Sequence, residues 1–293
     1  MAVVTRRVFF QGAAAVAAAG FSGGILLSAF GETTHPRLTR LELPLPRLPE
    51  AFDGFRIVQL SDFHYDEEFT IVPIRRAMEI ANQLQPDLFV LTGDFVTLPV
   101  WVDYITSTRK GSARAAEPCA VMLRELKSRL GSYAILGNHD ADSDAGFVIE
   151  SLQANGIQVL RNRAIAIEQN GARLWLAGVD DVINGKPDIA GTLRAIPAQE
   201  AIVMLAHEPD FADDVAKFPV DLQLSGHSHW GQVRLPIVGA PMLPDLAIKY
   251  PWGLRQIGPM TLYTNAGLGT IRVPMRINAP PEVTEITLRV KRS

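Results

Sequence analysis

One cysteine, Cys119, is all that 293 residues contain. A single thiol excludes an internal disulfide framework and any zinc site built on cysteines, so a resident metal would need His, Asp, Glu or Asn. Excess positive charge is missing too: 28 Lys and Arg stand against 31 Asp and Glu, a formal net charge of -3. Without a basic footprint, no nucleic-acid partner is expected. Internal repeats are absent, and the only low-complexity tract is near the N-terminus. What the chain does have is 47% hydrophobic residues, ample for the core of one large domain or two small ones.

Charge vanishes altogether over residues 12–30, which follow an arginine pair, Arg6 and Arg7, and the aromatics Phe9 and Phe10. This segment, residues 1–31, resembles a twin-arginine export signal with a mildly hydrophobic Ala/Gly-rich stretch. Phe10 stands where leucine is usual, and no lysine follows. A retained anchor over residues 8–30 is the other reading, since about 18 apolar residues are the lower limit for spanning a bilayer. Either way the folded part is expected outside the cytoplasm, periplasmic or otherwise extracytoplasmic, with the export machinery as a partner. Residues 32–54 are proline-rich and read as a linker with a first extended segment, "RLTRLELPLPRLP".

From residue 55 to 293 apolar runs alternate with helical patterns. "FRIVQL" (55–60), "DLFVLT" (87–92), "SYAIL" (132–136) and "IQVL" (157–160) read as strands. Helical spacing covers 71–84, 119–130 and 145–155. A hairpin is expected over 164–179 around Asn170-Gly171. "AIVMLAH" (201–207), "DLQLSGH" (221–227), "TLYTNAG" (261–267) and "EVTEITLRV" (282–290) make the second half strand-rich. The sum is an α/β domain with two sheets in a layered β-sandwich flanked by helices (αββα).

Five of the six histidines fall where these strands end, and only His35 lies in the tail. "LSDFHY" carries Asp62 and His64, "LTGDFV" carries Asp94, and "ILGNHD" carries Asn138, His139 and Asp140. "LAHEP" carries His207, and "SGHSHWG" carries His227 and His229. Each fragment alone is an ordinary turn or cap. Ligands at the carboxyl ends of strands, however, converge on one crevice.

The ordered string Asp-x-His, Gly-Asp, Gly-Asn-His-Asp, His, Gly-His-x-His resembles the calcineurin-like metallophosphoesterases, over roughly residues 55–288. That resemblance implies two divalent metal ions. Asp62, His64, Asp94 and His229 would hold one, Asp94, Asn138, His207 and His227 the other, with Asp94 bridging. Mixed nitrogen and oxygen donors suit Mn, Fe, Zn or Co better than Ca or Mg. It implies hydrolysis of a phosphate ester by a metal-bound hydroxide, with His139 stabilising the transition state or protonating the leaving oxygen, and Asp140 orienting the His139 ring. The export signal, "FDGFRIVQLSDFH" and the ending "GLGTIRVPMRINAPPEVTEITL" resemble exported or membrane-associated bacterial phosphodiesterases. Enzymes similar to UDP-diacylglucosamine hydrolase belong there, although their substrate is cytoplasmic and this signal points outward. The expected substrate is therefore a phosphodiester or pyrophosphate of the cell envelope, with a lipid-linked one included. A phosphomonoesterase of the same fold and a non-catalytic scaffold are the alternatives; the scaffold is disfavoured because all ligand positions are filled.

Two segments are candidates for selecting substrate or touching a membrane surface. Residues 98–117 join Trp101 and Tyr104 to Arg109, Lys110 and Arg114, and residues 235–254 are long, apolar and proline-broken. Both can equally be packing loops. The sharper expectation is contact with a bilayer or a lipid tail.

Overall fold

A computed structural model describes residues 32–98 and 106–292. The segment 1–31, with the expected export signal or anchor, and Trp101 and Tyr104 lie outside the described residues. Among the described residues, no helix is long and apolar enough to cross a membrane.

Two six-stranded sheets face each other. The first runs in the order β1 (Arg37–Leu45), β12 (Glu282–Val290), β2 (Arg56–Leu60), β3 (Leu88–Leu91), β4 (Ser132–Ala134) and β5 (Ile157–Val159). The second runs β10 (Gly253–Ile257), β11 (Met260–Thr264), β9 (Leu222–Ser225), β8 (Ala201–Leu205), β7 (Ala172–Gly178) and β6 (Arg163–Gln169). Helices α1 (Ile71–Gln83), α2 (Thr106–Ala113), α3 (Ala116–Leu123) and α4 (Asn138–Ala154) belong to the first half. The short α5 (Ile189–Leu193) and α6 (Ala212–Val215) belong to the second.

Strand alternation builds the layers, because successive side chains point to opposite faces. In β3, Leu88 and Val90 enter the core between the sheets, with Ile135, Leu176, Val203 and Leu224. Phe89 and Leu91 point the other way, onto Ile74 and Met78 of α1 and Cys119 of α3. In β8 the same alternation sends Ala201, Val203 and Leu205 inward, and Ile202 and Met204 outward against Ala212 and Val215 of α6. Strands buried on both faces read as unbroken apolar runs. The architecture is the layered αββα sandwich expected from the sequence.

The extended segment expected within residues 32–54 is found as β1, all nine residues of which pair in parallel with β12. The pairing partner is 245 residues away, as in Arg37↔Glu282, so local composition could not reveal it. The bounds of two expected helices are corrected. The helix expected over 119–130 begins at Ala116 and ends at Leu123. The helix expected over 145–155 begins at Asn138, is broken at Asp144 (φ -150°, ψ 85°) and continues to Ala154.

Candidate metal centre

Parallel strands aim their carboxyl ends one way, and β2, β3 and β4 of one sheet meet β8 and β9 of the other at a single edge. Asp62 and His64 leave β2, Asp94 leaves β3, and Asn138 starts α4 just after β4. His207 leaves β8, and His227 and His229 leave β9. The turns there are tight. Asp62, His64, Asp94, His227 and His229 all adopt positive φ, between 42° and 68°. Non-glycine residues seldom do so, and such backbone strain clusters at functional sites.

Close approach of the chain demands glycine at several points, Gly137 and Gly226 among them. A Cβ on Gly137 would collide with Asp94 Oδ1, and one on Gly226 with Ser61 Oγ and Asp62 Oδ2. Asp62 in turn accepts the His227 backbone N–H, at 2.9 Å on Oδ1 and 3.1 Å on Oδ2.

Two clusters result, and every donor is buried. In one, ligand atoms of Asp62, His64 and His229 lie within 4.8 Å of one another; in the other, those of Asp94, His207 and His227 do. A third grouping, His64, Asp94 and His139, joins them. His64 Nε2 is 3.0 Å from His229 Nε2 and 3.4 Å from Asp94 Oδ2. Two imidazole nitrogens that close require a proton or a cation between them. His207 Nε2 lies 3.2 Å from Asp94 Oδ2 but is not aligned to donate to it. Asp94 Oδ2, Asn138 Oδ1 and His207 Nε2 are all buried without a hydrogen-bond partner. Orphaned buried polar atoms are costly, and three in one place fit a site for a cation.

The outer hydrogen bonds set the tautomers. His207 Nδ1 donates to the Thr92 carbonyl at 2.6 Å, which in the neutral ring leaves the Nε2 lone pair facing Asp94. His227 Nε2 donates to the Asp245 carbonyl at 2.8 Å, which leaves Nδ1 free to ligate. Burial holds His64 and His227 neutral, each down to about 3, and pushes His229 well below its ordinary range. Neutral imidazoles are the form that binds metal. Burial alone would raise Asp94 and lower His207. Their mutual attraction, helped by His139 and His64 on Asp94 and by Glu208 and Asp62 on His207, reverses both.

His139 is held differently. Its backbone N–H donates to Asp94 Oδ1 at 3.0 Å, and its Nδ1 accepts the Leu98 N–H at 2.9 Å. The ring therefore carries its proton on Nε2 when neutral, and it lines the cavity above the clusters. Asp140 does not serve that ring, contrary to the sequence expectation. Its Oδ2 accepts from Asp94 N (2.8 Å) and Gly137 N (3.0 Å), and its Oδ1 from Phe95 N (2.9 Å) and Val96 N (3.1 Å). Burial and the nearness of Asp94 push this carboxyl up to about 8, against the Gly137 and Val96 N–H groups and the His207 charge, which pull it down. Asp140 is a clamp on the loop that carries Asp94.

Sequence reasoning missed Arg276. Its guanidinium is fully buried and donates to the carbonyls of Ala266, Gly269 and Ala279, reaching His229 Nδ1 at 3.2 Å. Burial lowers it to about 10. No local signal marks an arginine 47 residues from its histidine. Asp181 and Glu208 were likewise unassigned; Glu208 follows His207 and meets Asp181, both are buried, and each keeps one oxygen without a partner.

The clusters open into a cavity of about 490 Å³. Asn138, His139, His227 and His229 form its polar floor, and Val233, Met242, Leu243, Ile271 and Val273 contribute an apolar wall. Such a site can hold cations at its base and an amphiphile against its wall.

Comparison with known proteins is consistent with this geometry. The model of the calcineurin-like phosphoesterases matches residues 55–231. The chain is 35% identical to the uncharacterized metallophosphoesterase YkuE of Bacillus subtilis (strain 168), over 99% of each chain. It is 31% identical to the phosphodiesterase YaeI of Escherichia coli (strain K12), over 98% of this chain and 100% of that one. A transmembrane protein with metallophosphoesterase domain from Danio rerio is 32% identical over 87% of this chain, which spans 57% of that protein.

Proposed function

Because this chain belongs to the calcineurin-like phosphoesterase family and is a hydrolase of phosphoric esters, we propose that it is a two-cation phosphodiesterase or pyrophosphatase of the cell envelope, acting on an amphiphilic, lipid-linked substrate. The observation that carries the reading is Asp94. It stands in both the His64 grouping and the His207–His227 grouping, with an orphaned, buried oxygen between them.

Asp62, His64, Asp94 and His229 would hold one divalent ion, and Asp94, Asn138, His207 and His227 the other. Bound there, cations of the Mn, Fe, Zn or Co type would polarise the phosphoryl group and lower the pKa of water. His139 Nε2–H would hydrogen-bond the leaving oxygen. Water adds to phosphorus and sheds one proton, the bond to the leaving oxygen breaks and that oxygen takes up one proton, so that the ring ends neutral with Nε2 still protonated. Accepting the Leu98 N–H at Nδ1 keeps that proton on the side of the cavity. The apolar wall excludes water and favours a substrate whose alcohol portion is greasy. The likeness to the Escherichia coli phosphodiesterase supports a diester over a monoester.

The envelope location rests on the sequence of residues 1–31, with Arg6 and Arg7 ahead of an uncharged run, which resembles a twin-arginine export signal, with the export machinery as its partner. The test of the activity is hydrolysis of bis(p-nitrophenyl) phosphate against p-nitrophenyl phosphate by metal-stripped protein resupplied with Mn, Zn or Fe. The diester is expected to turn over faster. Hydrolysis of neither ester with any of the metals would overturn the reading.

A further inference from the structure

The apolar wall of the cavity continues outward into a bare apolar tip. Leu235 N donates to Gly239 O at 2.8 Å and Gly239 N to Leu235 O at 2.9 Å, closing a tight turn. At its apex Ile237 is 107% exposed and Val238 69%, with Met242 63% exposed between the turn and the cavity. Ile237 also holds φ at 70°, a conformation that a β-branched side chain rarely tolerates. Strained backbone spent on presenting isoleucine to solvent is a cost with no return inside the fold.

Two further observations say what meets this tip. Arginines flank it: Arg234 lies over the Trp230 ring, 4.8 Å from its centroid, and the exposed Arg272 reaches Met242 Sδ at 2.8 Å. Asp245 is the acidic residue of this stretch, against Arg234 and Arg272. The described chain also begins here. Asn278 N donates to Glu32 Oε2 at 2.8 Å and Arg276 N to Thr33 Oγ1 at 2.7 Å. Asn278 Nδ2 then donates to Arg234 O at 2.9 Å, and Val233 bridges Ile277. The uncharged run of residues 12–30 therefore joins the fold beside the base of the apolar turn.

We propose that the face built from residues 234–242 and Arg272–Val273 lies on an anionic lipid surface, with the cavity mouth turned to that surface so that the phosphate ester enters from the lipid. An apolar tip with arginines at its base is the pattern of an interfacial anchor, the tip in the acyl boundary and the guanidinium groups at the headgroups. The same arrangement places the cavity's greasy wall in continuity with the lipid. The identity of what enters the cavity rests on the phosphoesterase reading; the docking face does not.

The test uses the full chain with Val238→Cys carrying an environment-sensitive dye, the native Cys119 being buried and protected from labelling. A second label at Glu168→Cys, exposed on the edge strand β6, serves as control. Vesicles of equal parts phosphatidylglycerol and phosphatidylcholine should brighten and blue-shift the dye at 238, severalfold, and leave the dye at 168 unchanged. Vesicles of phosphatidylcholine alone should give a much smaller change. If the protein sediments with vesicles while the dye at 238 stays in water, the run at residues 12–30 or another face makes the contact and the proposal fails. It fails equally if the protein does not bind vesicles. A shift that grows with protein concentration and needs no lipid would assign the face to a second copy instead. If Val238→Cys loses turnover of bis(p-nitrophenyl) phosphate, Ile237→Cys repeats the reading on the same tip. That soluble assay separates the two ideas, because the dye reports docking even in a protein that hydrolyses nothing.

Discussion

Asp140 and Asp94 interlock across the carboxyl ends of two strands. Asp140 Oδ2 accepts the Asp94 backbone N–H at 2.8 Å, while Asp94 Oδ1 accepts the N–H of His139, the residue before Asp140, at 3.0 Å. Asp94 sits at φ 58°, so its side chain reaches the centre only because its backbone is pinned there.

Asp140→Ala should therefore act through the metal centre. Four buried backbone donors lose their acceptor, a loss on the order of 2–5 kcal/mol of stability given the cost of leaving buried N–H groups unsatisfied and the non-additivity of neighbouring bonds. Metal content, measured by elemental analysis after dialysis, should fall with it. Full metal content with turnover alone reduced would restore the role of orienting the His139 ring.

His139→Ala should do the reverse. Turnover of the diester should drop roughly 10²–10⁴-fold, the usual contribution of a positioned proton donor, while both ions stay bound. A metal count lower than that of the unaltered protein would mean that His139 is a ligand, as its grouping with His64 and Asp94 permits.

At Gly226 a single methyl should suffice to disturb the site. The added Cβ of Gly226→Ala meets Ser61 and Asp62, so either the β9 turn or Asp62 must move. Overpacking of this kind costs typically about 1–3 kcal/mol, read as a lowered midpoint in urea. The displaced Asp62 should weaken its half of the centre, seen as loss of about one ion per chain.

Stripping the metals should lower the melting temperature, because a ligand bound only by the folded state stabilises it, by about 2.7 kcal/mol at a concentration 100 times its Kd. Calorimetry with and without added Mn or Zn measures this. Asp94→Asn should abolish most of the difference; an Asp94→Asn protein that gains as much from metal as the native chain would remove Asp94 from both sites.

Away from the centre, Arg161 and Asp180 give a pH test. Burial would raise Asp180, but Arg161 at 2.8 Å and backbone donors outweigh it and lower the carboxyl below its ordinary range. A depressed carboxylate stabilises fully above its unfolded value, near 3.9, and the contribution disappears as pH falls through the folded one. Because Arg161 is half exposed, the effect is at most about 1 kcal/mol. Urea midpoints of the native chain and Asp180→Asn should differ at pH 7 and converge below about pH 4. A gap that widens toward acid would reverse the assignment.

The sequence by itself determined the layers and the order of the site. Short apolar runs bounded by turn residues read as strands, and with helical patterns between them they imply a layered α/β fold. Each candidate ligand was legible because it follows its strand within a few residues, as Asp62 follows Leu60 and His207 follows Leu205. These are local signals, carried by neighbours in the chain. Tertiary structure decided what depends on distant partners: that Arg37 to Leu45 is a sheet strand on β12, that Arg276 reaches His229, and that Asp140 clamps a loop instead of steering a ring. It also decided that the turn bearing Ile237 stands bare beside the cavity, since an apolar loop reads the same in sequence whether it is packed or exposed. Hydrogen-bond partners and exposure are properties of the folded arrangement, and no periodicity along the chain encodes them.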